Sequence, residues 1–131
     1  MDTAAQEVIE RWCKGALRDR ETARGMLRSG YYDWSLFVFH LALEKLLKAV
    51  LLKKSGEVAP IHDLRRLAEL AKIDTSEQER AWLREITTFN LEARYEEEKF
   101  KFYKRATREY AREWHEKCEE LFLWLEKMVK N

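Results

Sequence analysis

The sequence predicts an all-α fold, an up-and-down bundle of four long helices plus one short helix. Three observations carry that prediction. Helix breakers are scarce, with one Pro and four Gly in 131 residues, while 37% of the chain is charged and 46% hydrophobic, a composition suited to long helices. Apolar residues recur at spacings of three and four through most of the chain, the period of a helix face. One stretch, Tyr31 to Ser55, is apolar on nearly every side, which marks a helix wrapped by its neighbours. A chain of this length builds one core and has little room for a second, so residues 1–131 are read as a single domain.

The first helix begins at Asp2, a good N-cap, and runs to about Arg28 with Val8, Trp12, Ala16, Ala23 and Leu27 on one face. Ser29 and Gly30 stop it. The opposite face holds Arg11, Lys14, Arg18, Arg20, Arg24 and Arg28, most simply a solvated surface, with phosphate binding as the alternative. Gly15 leaves room for a close neighbour. The central helix follows and ends at Ser55 and Gly56, with Lys53 and Lys54 at the negative end of its dipole. Inside it, Asp33, His40, Glu44 and Lys48 are separated by seven, four and four residues and so share one stripe. The stripe is either a solvated seam with a Glu44 to Lys48 pair or the lining of a groove.

After a turn at Pro60 the spacing predicts a short helix from about Ile61 to Lys72, with His62 in its first turn, where it caps, packs or faces a ligand. Ser76 and Glu79 form a capping box that opens the next helix, whose buried residues are Trp82, Leu83, Ile86 and Phe89 and which frays from Asn90 to Tyr95. The last helix is expected to run unbroken from Glu96, Glu97 and Glu98 to about Val129, roughly 50 Å. Its apolar stripe includes Phe100, Tyr103, Thr107, Tyr110, Trp114, Cys118 and Phe122. Phe102, Leu123 and Trp124 fall off that stripe, as wrapping contacts or as a dimer surface.

A net charge of +1 gives no global field for nucleic acid or membrane, so any such binding needs a local patch. Cys13 and Cys118 show neither CxxC nor zinc spacing and read as free, buried thiols of a reducing cytoplasm. The N-terminal stretch is charged and unlike a signal segment, and His40, Glu44, Lys45 and Lys48 interrupt the central helix too often for a membrane span. A soluble cytoplasmic protein with no metal and no cofactor is expected.

The chain has no glycine-rich phosphate loop, no nucleophile elbow and no carboxylate set at metal-ligand spacing, which removes most enzyme classes. Metal-independent RNA cleavage needs only a base and a cation. Arg108 and His115, with Arg112 between them, share one face of the last helix about 10 Å apart along its axis, so a site joining them requires dimeric or folded-over geometry. The plainer reading is the charged side of an amphipathic helix. The run Lys99, Phe100, Lys101, Phe102, Tyr103, Lys104, Arg105, Arg108 interleaves cations with aromatics, as nucleic-acid surfaces do. An unbroken helix, however, sends Phe100, Tyr103 and Tyr110 to the core, and Glu97 to Lys101 and Arg105 to Glu109 pairs neutralise part of the charge.

Trp12, the segment ALRDRETARGMLRSGYYDWSLFVFHLALEKLLKAVLLKK, then IHDLRRLAELA and FNLEARY together resemble the HEPN family (higher eukaryotes and prokaryotes nucleotide-binding). The carriers are the early Trp, G-Y-Y before the second helix, E-K-x-L-K-A within it, H-x-L in the third and R-Y after the fourth. The resemblance covers nearly the whole chain and implies a helical bundle that commonly forms a homodimer. It also implies a small subunit paired with a minimal nucleotidyltransferase, as in toxin and antitoxin modules. In that reading Asp33, His40, Glu44, Lys45, Lys48, His62, Arg94 and Tyr95 bind a nucleotide, RNA or the partner protein. Many members are metal-independent RNases that use an Arg, four to six intervening residues and then a His; Arg108 and His115, with six residues between them, meet this spacing at its upper limit. The His-x-Tyr form of the best-defined toxin branch is absent here. Pure structural or dimerisation scaffolding is the remaining alternative.

Overall fold

The computed structural model describes residues 2–131, and among them six helices and no strand. They are α1 Thr3–Arg28, α2 Tyr32–Ser55, α3 Leu64–Leu70, α4 Glu77–Thr87, α5 Glu96–Arg105 and α6 Arg108–Lys130. The fold is the expected all-α bundle. The central position of α2 follows from its sequence: 14 of its 24 residues are buried, and it packs against all five other helices. A helix apolar on all sides has no stable place except between others.

Local signals end the helices where the residues demand it. Asp2 Oδ1 accepts from the Ala5 amide at 2.7 Å, and Ser76 and Glu79 form both halves of their capping box. Gly30 and Gly56 take φ of +84° and +73°, left-handed values that L side chains rarely adopt, and each closes the helix before it. The third helix is shorter than expected. Asp63 caps it by accepting from the Arg66 amide, which leaves Ile61 and His62 in the preceding loop.

The largest departure lies in the last third of the chain, where the expected single helix is two. Ala106 leaves helical geometry, with ψ of 68°, and Thr107 Oγ1 caps α6 by accepting from the Tyr110 amide at 3.2 Å. The break changes which face of α5 is inside. Phe102 and Ala106 are buried, while Phe100 and Tyr103, assigned to the core by the unbroken stripe, are exposed. Beyond the break the expected register holds, with Ala111, Trp114, Cys118, Leu121, Phe122, Leu125 and Val129 buried. Among the described residues no helix is long and apolar enough to cross a membrane. Both cysteines are free; Cys118 is buried, whereas Cys13 is only half-buried.

Candidate functional site

The structure distributes the residues singled out in the sequence over four places. The first is the polar stripe of α2, which brings together His40, Glu44, Lys48 and His62. Glu44 Oε2 accepts from Lys48 Nζ and from His62 Nδ1, each at 3.1 Å, so the exposed His62 ties its loop to the central helix. Beneath them His40 is fully buried, stacked on Phe37 at 6.2 Å between ring centroids, with Nε2 3.8 Å from Glu44 Oε1. Neither His40 nitrogen nor Glu44 Oε1 has a hydrogen-bond partner among the described residues. Burial pushes the His40 pKa down to about 4 against the opposing pull of Glu44, so the ring is neutral at pH 7. Lys45, one residue on, points elsewhere. Its aliphatic stem lies against Gly15, whose missing side chain leaves the room, and its ammonium meets Asp19 at 2.6 Å.

The second place is where the α4–α5 connection meets α5. Arg94 Nη1 lies 3.1 Å from Glu98 Oε2 and its Nη2 donates to the Thr88 carbonyl at 3.4 Å. Arg105 Nη2 donates to Thr88 Oγ1 at 2.9 Å, its guanidinium resting on the Phe102 ring at 5.0 Å. With Lys101 they border a recess of about 280 Å³. Two guanidinium groups are thus fixed around one threonine, and among the described residues Glu98 is the only acid lining the recess. Fixed forks of N–H donors of this kind suit phosphate or carboxylate. Tyr95 stands exposed beside Arg94.

The third place is a cleft of about 550 Å³ where the α1–α2 turn meets the α5–α6 break. Asp33 is there, apart from the rest of its stripe, with Tyr31, Trp34, Tyr103, Lys104 and Thr107.

The fourth is His115, 7% exposed. Ser35 Oγ donates to the Ala23 carbonyl at 2.8 Å, and with its one proton so used it accepts from His115 Nε2–H, 2.5 Å away. Burial and then the nearby Arg24 cation hold the His115 pKa down at about 4. The other side of the ring borders a cleft of about 360 Å³ with Arg24 and Glu119. Arg108 is exposed in the first turn of α6 and forms no ion pair or side-chain hydrogen bond among the described residues. The structure therefore does not bring Arg108 and His115 together within one chain.

Sequence reasoning missed the surface that α5 presents. The alternation of cations and aromatics was visible, yet a continuous helix hid the rings. Thr107 as an N-cap was the signal that would have exposed them. The Glu97–Lys101 and Arg105–Glu109 pairs do not form; Lys99 reaches Glu96 instead, and Arg105 turns to Thr88. From Lys99 to Arg112 six cations stand against one acid, Glu109.

A family model described as the HEPN domain matches residues 9–128. No curated protein matches the chain. Among solved structures, the chain is similar to TT1696 from Thermus thermophilus, with a TM-score of 0.78 and 22% identity, covering 92% of this chain and 97% of that one. That likeness supports the bundle fold.

Proposed function

The chain belongs to the HEPN family, and from that premise we propose that it is a binding subunit for nucleotide or RNA, engaging phosphate through the cationic surface of α5 and the start of α6. The observation that carries this reading is the density of positive charge between Lys99 and Arg112 in a chain whose net charge is only +1. Local charge of this kind attracts phosphate where the molecule as a whole does not. Arg105, already held by Thr88, needs little rearrangement to receive an anion, and Arg94 receives one in exchange for Glu98. The polar stripe of α2 serves a different purpose in this reading. Its Glu44 Oε2 accepts from both Lys48 and His62, and through it the stripe anchors the loop that precedes α3.

Fluorescence anisotropy with a short labelled RNA tests the reading. Binding should weaken with salt, and Arg105→Ala should reduce the slope of log affinity against log salt by about 0.7, the loss of one phosphate contact. Salt-independent binding, or an unchanged slope in that variant, would count against it.

A minimal nucleotidyltransferase partner and a homodimer belong to the same proposal, supported by family membership. Co-purification of the two proteins and sedimentation of this chain alone check them. The second reading, a metal-independent RNase using Arg108 and His115, is favoured by one observation, the cleft that His115 borders. RNA cleavage in EDTA that disappears in His115→Ala would establish it, and its absence in the parent protein would remove it.

A further inference from the structure

The cationic recess and the aromatic cleft lie on opposite flanks of one helix, and their chemistries are complementary halves of one ligand. On α5, Lys101 and Arg105 face the recess, while Tyr103 and Lys104 face the cleft. Phe100 and Lys104 form the outer ridge between them, the Lys104 ammonium 4.8 Å from the centre of the Phe100 ring. The ridge is narrow, since a helix with its side chains is about 10 Å across.

The aromatic side is open to a degree unusual for such large rings. Tyr31, Trp34, Phe100 and Tyr103 are 61, 47, 55 and 61% exposed. They are not scattered. Phe100 and Tyr103 lie nearly parallel, 20° between planes and 6.1 Å between centroids, and Tyr103 lines the same cleft as Tyr31 and Trp34. A cleft of about 550 Å³ falls in the size range in which small organic groups bind. Flat, exposed rings beside ammonium groups offer stacking to any base without reading its edge, provided the base is free of its own stack.

We infer that α5 is the ridge of a binding surface for single-stranded nucleic acid, with phosphate held by Arg94, Lys101 and Arg105 on one flank and an unstacked base taken between Tyr31, Trp34 and Tyr103 on the other. This rests on the phosphate-binding reading above and adds a preference that reading does not contain. A duplex presents its phosphates but keeps its bases stacked, so it engages only one flank. Asp33 and Thr107 at the cleft supply an acceptor and a hydroxyl for the edge of the base, and Asp33 keeps phosphate itself away from that side.

The test compares the wild-type chain with Trp34→Ala, Tyr103→Ala, Tyr103→Phe and Arg105→Ala, each checked for helical content by circular dichroism. The probes are a short single-stranded RNA and the duplex of the same sequence. The wild type should bind the single strand at least about tenfold more tightly than the duplex. Trp34→Ala and Tyr103→Ala should each weaken single-strand binding by about 5- to 100-fold with the salt slope unchanged, and Tyr103→Phe, which keeps the ring, should restore it. Arg105→Ala should lower affinity for both probes and reduce the slope. If the alanine variants of the aromatics bind the single strand like the wild type while Arg105→Ala is impaired, the stacking inference is overturned and the phosphate reading stands. Binding of neither probe by the wild type overturns both and leaves the exposed rings to a protein partner.

Discussion

Ser35 Oγ lies 2.5 Å from His115 Nε2 and 2.8 Å from the Ala23 carbonyl, so a single hydroxyl joins α1, α2 and α6. Ser35 is fully buried and His115 nearly so. Removing the hydroxyl strands an imidazole N–H where water does not reach it. Ser35→Ala should therefore destabilise the fold by about 1–3 kcal/mol, measured by urea unfolding. A change within experimental error would mean that the contact contributes nothing net.

The two buried histidines make the fold acid-sensitive. His40 and His115 both have pKa values lowered from 6.5 to about 4, in each case chiefly by burial. The unfolded chain binds protons at these sites first, so their contribution is complete above pH 6.5, declines as the pH falls towards 4, and is gone below it. Each should contribute on the order of 3 kcal/mol across that window. Unfolding midpoints measured from pH 7 to pH 4 should fall steadily, and His115→Gln should flatten the decline by removing one of the two groups.

The break between α5 and α6 depends on a cap. Thr107→Ala removes the acceptor for the Tyr110 amide and should cost about 1 kcal/mol, seen as a lower unfolding midpoint. If the substitution also fused the two helices, Tyr103 and Phe100 would be drawn towards the core. Acrylamide quenching of Trp34 and tyrosine fluorescence would register that change.

The end of the central helix makes a contrasting prediction. Gly56 has φ of +73°, with nothing within 4 Å of where a side chain would project. Gly56→Ala should therefore destabilise through the backbone alone, by about 1 kcal/mol, and Gly56→Asn by less, because Asn tolerates the left-handed region.

His62 is mostly exposed, so its bond to Glu44 should add little to global stability. His62→Ala should leave the unfolding midpoint nearly unchanged while accelerating amide exchange between residues 57 and 63. Unchanged exchange there would show that the loop is held by Ala59 and Ile61 packing instead.

What the sequence revealed and what it concealed divide along a physical line. Asp2, the Ser76–Glu79 box and Gly56 act within a few residues of themselves, and a linear reading finds them. The central role of α2 was equally legible, since no apolar pattern other than burial on all sides fits LFVFHLALEKLLKAVLL. The break at Ala106 was concealed because two apolar stripes overlap there, one through Phe100 and Tyr103 and one through Phe102 and Ala106. Helical propensity alone does not choose between them; packing against Phe89 does, and it selects Phe102. The polar residues of the site were harder still. Asp33 and Lys48 share a stripe yet serve different surfaces, and Lys45 belongs to Asp19 of α1. The partner of His115 lies 80 residues away, beyond any local pattern.

That same separation bears on how the chain is made. The flank of α2 that α6 covers, including Ser35 against His115 and Phe39 against His115 and Phe122, leaves the ribosome long before its cover does. At roughly 5–20 residues per second, the 80 residues between Ser35 and His115 take about 4 to 16 s to synthesise. For that interval the flank of the most apolar helix that α6 will cover stays open to solvent, while α1 and then α3, α4 and α5 cover other parts of it. The nascent chain is therefore most prone to aggregation just before α6 emerges, and slowing translation within α4 or α5 should lower the yield of folded protein.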